Sequence, residues 1–376
     1  MSRSSADSSP SGPPDIDDAS AKKQNRAGAT GGIHAASIQD PWAAKGRLLV
    51  DGPFEPGSTA QTLLLGLFGL VATFLAFQVI VSPVVMIVLL FVAHGPDAMA
   101  SLGTNVQALI DSFARELLIT NAISQWLAFA IPALLLARLH ASDIYAFIRL
   151  RKTSILANGL AFAGMVALLP VAQWLAQFNQ QLPVPEALRA LDEQSMQLIE
   201  KVLESDFGLG FGLIMLAVTP AFCEELIFRG YAQRQFERVG DPAVAIAMSG
   251  ILFGLYHLRM TQLLPLTAIG LYLAYLTWRT GSLWPAIIAH FANNAIIVAF
   301  STLGPSADSS SATVAEGMNV PWYAVVIGLS AFTGIVYAFQ RYVRPDQDRP
   351  DQDRPDQDRP DQDRPDQDRP DQDRPD

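Results

Sequence analysis

The sequence predicts an all-α, polytopic membrane protein of about eight transmembrane helices enclosing a polar cavity. Three observations predict it. Half of the 376 residues are apolar and only 16% are charged, against roughly 25% charged in a soluble domain. Mean hydropathy is +0.24, although both ends of the chain are polar and dilute the average. Between residues 61 and 340 eight apolar runs follow one another, each near the roughly 20 residues a bilayer requires.

The elements follow in order. Residues 1–45 are rich in Ser, Ala, Asp, Gly and Pro, and are expected to form a disordered cytoplasmic N-terminal segment. No secretory signal peptide is legible there, so the first span is expected to serve as the insertion signal. The spans read 61–93, 117–137, 155–178, 208–234, 243–258, 262–279, 283–303 and 322–340. The first is long and holds Pro83, which predicts a kink or an interfacial continuation. The fourth holds Pro220, which bends a helix where protein or water satisfies the freed carbonyl. The acidic stretch 180–206 is expected outside the membrane, as a short amphipathic helix. The spans group into N-terminal transmembrane helices (61–200), a helical core (205–303) and a last helix (322–340). Residues 344–376 form a pentapeptide repeat, six copies of Arg-Pro-Asp-Gln-Asp followed by Arg-Pro-Asp. Proline every fifth residue forbids a regular helix, and no apolar residue is available for a core. A disordered, solvated tail is expected.

The net charge of −10 is concentrated in that tail, whose 7 Arg and 13 Asp leave it at −6 and the remainder at −4. No basic tract is dense enough for nucleic-acid binding. The single cysteine, Cys223, excludes an intramolecular disulfide and a cysteine-rich metal site. Its burial beside carboxylates would blunt a thiol, so small-residue packing is the favoured reading. With the N-terminus placed inside, twelve basic residues at span ends fall on the cytoplasmic side and four (Arg115, Arg189, Lys201 and Arg259) on the other. That asymmetry predicts both termini cytoplasmic. Trp284, Trp322 and Tyr323 at span starts read as interfacial anchors.

Two adjacent carboxylates, Glu224 and Glu225, interrupt the fourth apolar run. Each charge in hydrocarbon costs roughly 2.5–3.5 kcal/mol on insertion scales, so the pair marks a candidate site. Glu225 and Arg229 are four residues apart and share a helix face. Glu224 is rotated about 100° away, so the two carboxylates need not do the same work. His257 and His290, within or at the edge of later apolar runs, are the natural companions. Phe253 with His257, and His290 with Asn294, repeat the four-residue spacing. Gly250, Gly254, Gly270, Ala286, Ala289 and Ala292 allow close helix approach. A carboxylate in a low-dielectric cavity can act as general base on water. Two His and one Glu are also a ligand set for one Zn²⁺ with an open position. The zincin arrangement, two His flanking a Glu on one helix, is absent, and the residues leave open whether a metal is used.

Glu-Glu-Leu-Ile-Phe-Arg-Gly (224–230), Phe-Gly-Leu-Tyr-His (253–257) and Trp-Pro-Ala-Ile-Ile-Ala-His-Phe-Ala-Asn-Asn (284–294) resemble the three motifs of the CPBP intramembrane proteases. That family includes the Ras-converting CAAX endoproteases and the bacteriocin-processing and immunity-type proteins. The resemblance spans roughly residues 205–300 and implies a polar catalytic cavity open to the cytoplasm. It implies Glu224 and His257 as the water-activating pair, His290 and Asn294 at the oxyanion, and Glu225 with Arg229 as the second Glu and the Arg of the first motif. If a metal is used, it would lie on Glu224, His257 and His290. The expected activity is a CPBP-type intramembrane (metallo)endopeptidase acting at a bacterial cytoplasmic membrane. Its expected partners are the lipid bilayer and a membrane-associated peptide or protein substrate, of the prenylated CAAX or leader-peptide type. A second reading keeps the same polar cluster in a catalytically silent binding or immunity protein. A third, an ion or proton transporter, lacks the paired broken helices of that class. One conflict is internal to the sequence. Straight spans would put Glu224 near one end of its helix and His257 at the far end of the next, whereas the resemblance requires them to converge.

Overall fold

The computed structural model describes residues 52–54, 57–98, 106–190, 192–193, 208–303 and 320–343. The expected disordered head (1–45), the repeat tail (344–376) and most of the acidic stretch after residue 193 lie outside the described residues. Within that stretch, residues 186–190 and 192–193 are helical.

Among the described residues there is no strand. Eight apolar helices follow one another: α1 Thr59–His94, α2 Ser112–His140, α3 Ile155–Gln180, α4 Leu209–Glu237, α5 Pro242–Tyr256, α6 Met260–Thr280, α7 Trp284–Leu303 and α8 Trp322–Tyr342. Seven are long and apolar enough to cross a membrane, and α5, with 15 residues, is shorter. At about 1.5 Å per residue α5 rises roughly 22 Å, less than the ~30 Å hydrocarbon core. Polar caps set several starts. Ser58, Ser154 and Asp241 accept from the backbone of Gln61, Ala157 and Ala243, and Pro242 follows Asp241 at the first turn of α5.

The prolines act through helix widening. Short π-helical segments at Ala76–Val81, Trp126–Ala130 and Leu213–Val218 each end within two residues of a proline: Pro83, Pro132 and Pro220. Proline lacks an N–H and its ring displaces the carbonyl four residues back, so the chain takes the wider turn. A fourth π segment, Leu226–Ala232, contains no proline and begins directly after Glu225. Its seven residues are all buried.

Burial ranks the helices. In α4, 56% of the apolar window is buried, against 11% in α1 and in α8, so α4 is central and those two are peripheral. The helices α5 and α6 cross backbone to backbone. A Cβ on Gly270 would stand 2.8 Å from the Gly250 carbonyl oxygen, and one on Gly250 would stand 2.7 Å from the Leu271 nitrogen. Only glycine permits that approach.

A second polar cluster sits at the Glu237 end of α4. Arg149 donates to both oxygens of Glu237, and the pair is almost fully buried. Gln233 adds a 2.8 Å bond to Glu237 and a 3.0 Å bond to the Ala274 carbonyl. Arg149 itself lies in the left-handed region, φ 63°. Its carbonyl accepts from Leu283 N at 2.9 Å, which ties the 141–154 connection to the start of α7.

Helix lengths remove the conflict in depth between Glu224 and His257. Counted from the α4–α5 turn, Glu224 lies about 20 Å up α4 and His257 about 22 Å up α5. The two reach the same level because α4 is long and α5 is short.

Candidate functional site

The site is assembled from α4, the end of α5, and α7, with α6 behind it. Glu225 is fully buried and its Oε1 is shared by two donors. Arg229 Nη1 donates to it at 2.7 Å, and His290 Nδ1 lies 2.9 Å from it. Arg229 is fully buried as well. Its second terminal nitrogen donates to the Gly270 carbonyl at 2.9 Å, and its guanidinium lies 4.5 Å from the centre of the Phe253 ring. A planar cation held by a carboxylate, a carbonyl and an aromatic face is fixed in both position and tilt.

The bond to Glu225 defines the histidine. An ionised carboxylate only accepts, so Nδ1 of His290 carries the proton and Nε2 points to the other side of the ring. There Nε2 stands 4.0 Å from Glu224 Oε2. Glu224 differs from its neighbour in exposure, with 14% of its side chain accessible where Glu225 has none. The ring of His290 therefore spans the two glutamates, with the sealed one orienting it and the accessible one facing its free nitrogen.

His257 caps the C-terminus of α5. Its Nδ1 lies 2.8 Å from the Phe253 carbonyl oxygen, so the proton sits there and Nε2 is again the free nitrogen. Phe253 meets both imidazoles edge-on, at 4.8 Å from His257 and 5.7 Å from His290. His257 lies within electrostatic reach of Glu224, His290 and Arg259. Asn294 stands one turn beyond His290 and is half-buried. Its Oδ1 accepts from Asn293 at 3.0 Å, which leaves its own amide N–H groups as donors. Cys223 is fully buried in the apolar core, away from any role that needs access.

The structure thus brings Glu224, Glu225, Arg229, His257 and His290 together, with Asn294 one turn further along α7. It adds partners that sequence reasoning missed. Glu225 serves His290 as well as Arg229, a contact across 65 positions that no local spacing announces. The Gly270 carbonyl and the Phe253 ring complete the Arg229 cradle. The third apolar position of the Phe-Gly-Leu-Tyr-His segment also mattered. Tyr256 packs edge-on against Phe74, Phe129 and Phe228, walling the site on the α1 and α2 side.

The donor types suit a zinc ion, since two free imidazole nitrogens and one carboxylate face the same region. Their spacing does not. Among the described residues no three His, Cys, Asp or Glu side chains gather closely enough to hold a metal ion. The chemistry considered below therefore runs through the chain's own groups.

A family model described as Rce1-like, type II CAAX prenyl endopeptidase Rce1-like, matches residues 207–296. The matched stretch carries every one of the three motifs and agrees with the CPBP resemblance. No curated protein and no solved structure matches the chain.

Proposed function

We propose that this multi-pass membrane protein is an intramembrane endopeptidase that hydrolyses a peptide bond of a membrane-associated substrate with a water activated by Glu224 and His257. The family match over 207–296 supports endopeptidase activity in general. The observation that carries the finer reading is the asymmetry of the glutamate pair around one ring. His290 is bonded to sealed Glu225 at 2.9 Å and faces accessible Glu224 at 4.0 Å.

In this reading a water enters between the Glu224 carboxylate and the free Nε2 of His257. Glu224 takes its proton as the oxygen attacks the scissile carbonyl carbon. The developing oxyanion is met by N–H donors of Asn294, with the His290 ring held beside it by Glu225. When the C–N bond breaks, Glu224 returns the proton to the leaving amine. Glu225 and Arg229 take no proton in these steps; they hold the His290 ring. A bound zinc would supply Lewis-acid polarisation and could lie only on Glu224, His257 and His290 after those side chains had drawn closer. The substrate is proposed to be a prenylated CAAX-type or leader-type peptide at a bacterial cytoplasmic membrane, with both termini of the chain cytoplasmic.

The test is cleavage of a prenylated CAAX peptide and a panel of leader peptides by reconstituted protein, followed by mass spectrometry with and without chelator. General acid–base catalysis contributes about 10²–10⁴-fold, so Glu224→Gln should lose that much rate while still inserting. Full activity in Glu224→Gln would remove the general base from the scheme. Loss with chelator and recovery with Zn²⁺ would replace the metal-free scheme. A wild-type protein inert on every peptide, with a cellular phenotype unchanged by His257→Ala, would favour the silent binding reading.

A further inference from the structure

His257 is the one site residue that does not sit inside a long helix. It ends the short helix α5, and the chain then turns at once into α6. Leu258 takes φ 53°, a left-handed conformation that a non-glycine residue holds only where its surroundings over-determine it. Two side chains from outside the matched stretch supply that determination. Asp192 is buried, and its two carboxylate oxygens accept from Met260 N at 3.3 Å and Thr261 N at 2.7 Å. Asn179, at the end of α3, is buried too. Its Oδ1 accepts from Leu264 N at 2.7 Å and its Nδ2 donates to the Met260 carbonyl at 2.9 Å.

Four hydrogen bonds therefore pin the α5–α6 turn within seven residues of His257. Nothing comparable is needed at His290, which is embedded in α7 and held by Glu225. The Nδ1 bond of His257 goes to its own helix, at Phe253, so it fixes the ring on α5 but not α5 in the membrane. We propose that Asp192, with Asn179, is a positioning residue for His257: it clamps the α5–α6 turn so that the free imidazole nitrogen stands at the depth of Glu224. Asp192, in the connection after α3, is then part of the working site although it carries no motif. The inference rests on the proposed hydrolysis only for its kinetic arm.

The experiment combines kinetics with direct labelling of the ring. Asp192→Ala should lower kcat by about ten- to a hundredfold with KM unchanged, as expected for a small misplacement of a reacting group. Asp192→Asn keeps one acceptor oxygen and should recover part of that loss. In the double variant Asp192→Ala, His257→Ala the loss should equal that of His257→Ala alone, because residues acting as a unit are not additive. Carbethoxylation of His257 by diethyl pyrocarbonate, read by mass spectrometry, should change severalfold in Asp192→Ala while that of His290 does not. The labelling arm decides even if the wild-type protein cleaves no tested peptide. An unchanged His257 labelling rate would overturn the proposal, as would losses that multiply in the double variant. Should Asp192→Ala fail to insert, Asp192→Asn and Asn179→Ala carry the same comparisons.

Discussion

Replacing Glu225 with Gln would test the core of the site without changing its shape. The carboxylate and Arg229 are both fully buried, and one oxygen takes both Arg229 Nη1 and His290 Nδ1. A hydrogen bond to a charged group is worth about 1.5–3 kcal/mol. Charge-assisted bonds are roughly twice as strong as neutral ones, so Gln, which keeps an acceptor, loses about half of each. Two bonds then cost about 1.5–3 kcal/mol, with the roughly 3–5 kcal/mol of breaking a buried ion pair as the upper bound. Arg229→Met should cost a similar amount, since it leaves the buried carboxylate without its counter-ion. The double variant Glu225→Gln, Arg229→Met removes both charges and should cost about 2 kcal/mol less than the sum of the singles, within the range seen for contacting residues. Unfolding in mixed micelles, followed by tryptophan fluorescence, reads all three. A coupling below about 0.5 kcal/mol would refute the argument, because independent sites add to that precision. On peptide cleavage, Glu225→Gln should lower kcat by about ten- to a hundredfold, the usual cost of losing the partner that orients an active histidine.

Two more outcomes follow from the fold. Glu237→Ala removes the buried carboxylate that takes both terminal nitrogens of Arg149, so it should cost up to about 3–5 kcal/mol in the same unfolding assay and leave cleavage per folded molecule unchanged; a loss under about 1 kcal/mol would refute the cost assigned to this buried pair. If short α5 carries the chain across the bilayer, tags at the two termini should be labelled from the same side of sealed vesicles, and labelling from opposite sides would show that it does not.

Much of this was legible along the chain. Each of the eight apolar runs became a helix, because a run of that length has no other way to satisfy its backbone in lipid. The proline at 220 was legible as a local disturbance, but its form was not. The helix widened into a π turn before Thr219 instead of stopping. The Glu225–Arg229 contact lies within one turn and could be read from spacing. The Glu225–His290 contact could not, since it depends on how α7 packs on α4. Asp192 and Asn179 carried no signal, because a carboxylate in a polar connection and an amide at a helix end are ordinary there.

The sequence by itself determined that the chain is helical and membrane-embedded, and which polar groups are too costly to be in lipid without a purpose. Those are properties of local composition and of the solvent, and they need no knowledge of neighbours. Only the tertiary structure decided the division of labour between two adjacent glutamates. Glu225 is sealed because Arg229 and the His290 ring pack on it. Glu224 keeps access because it lies on the neighbouring face. Depth was also a tertiary matter. His257 and Glu224 stand level because short α5 returns alongside long α4, and that height is set by packing.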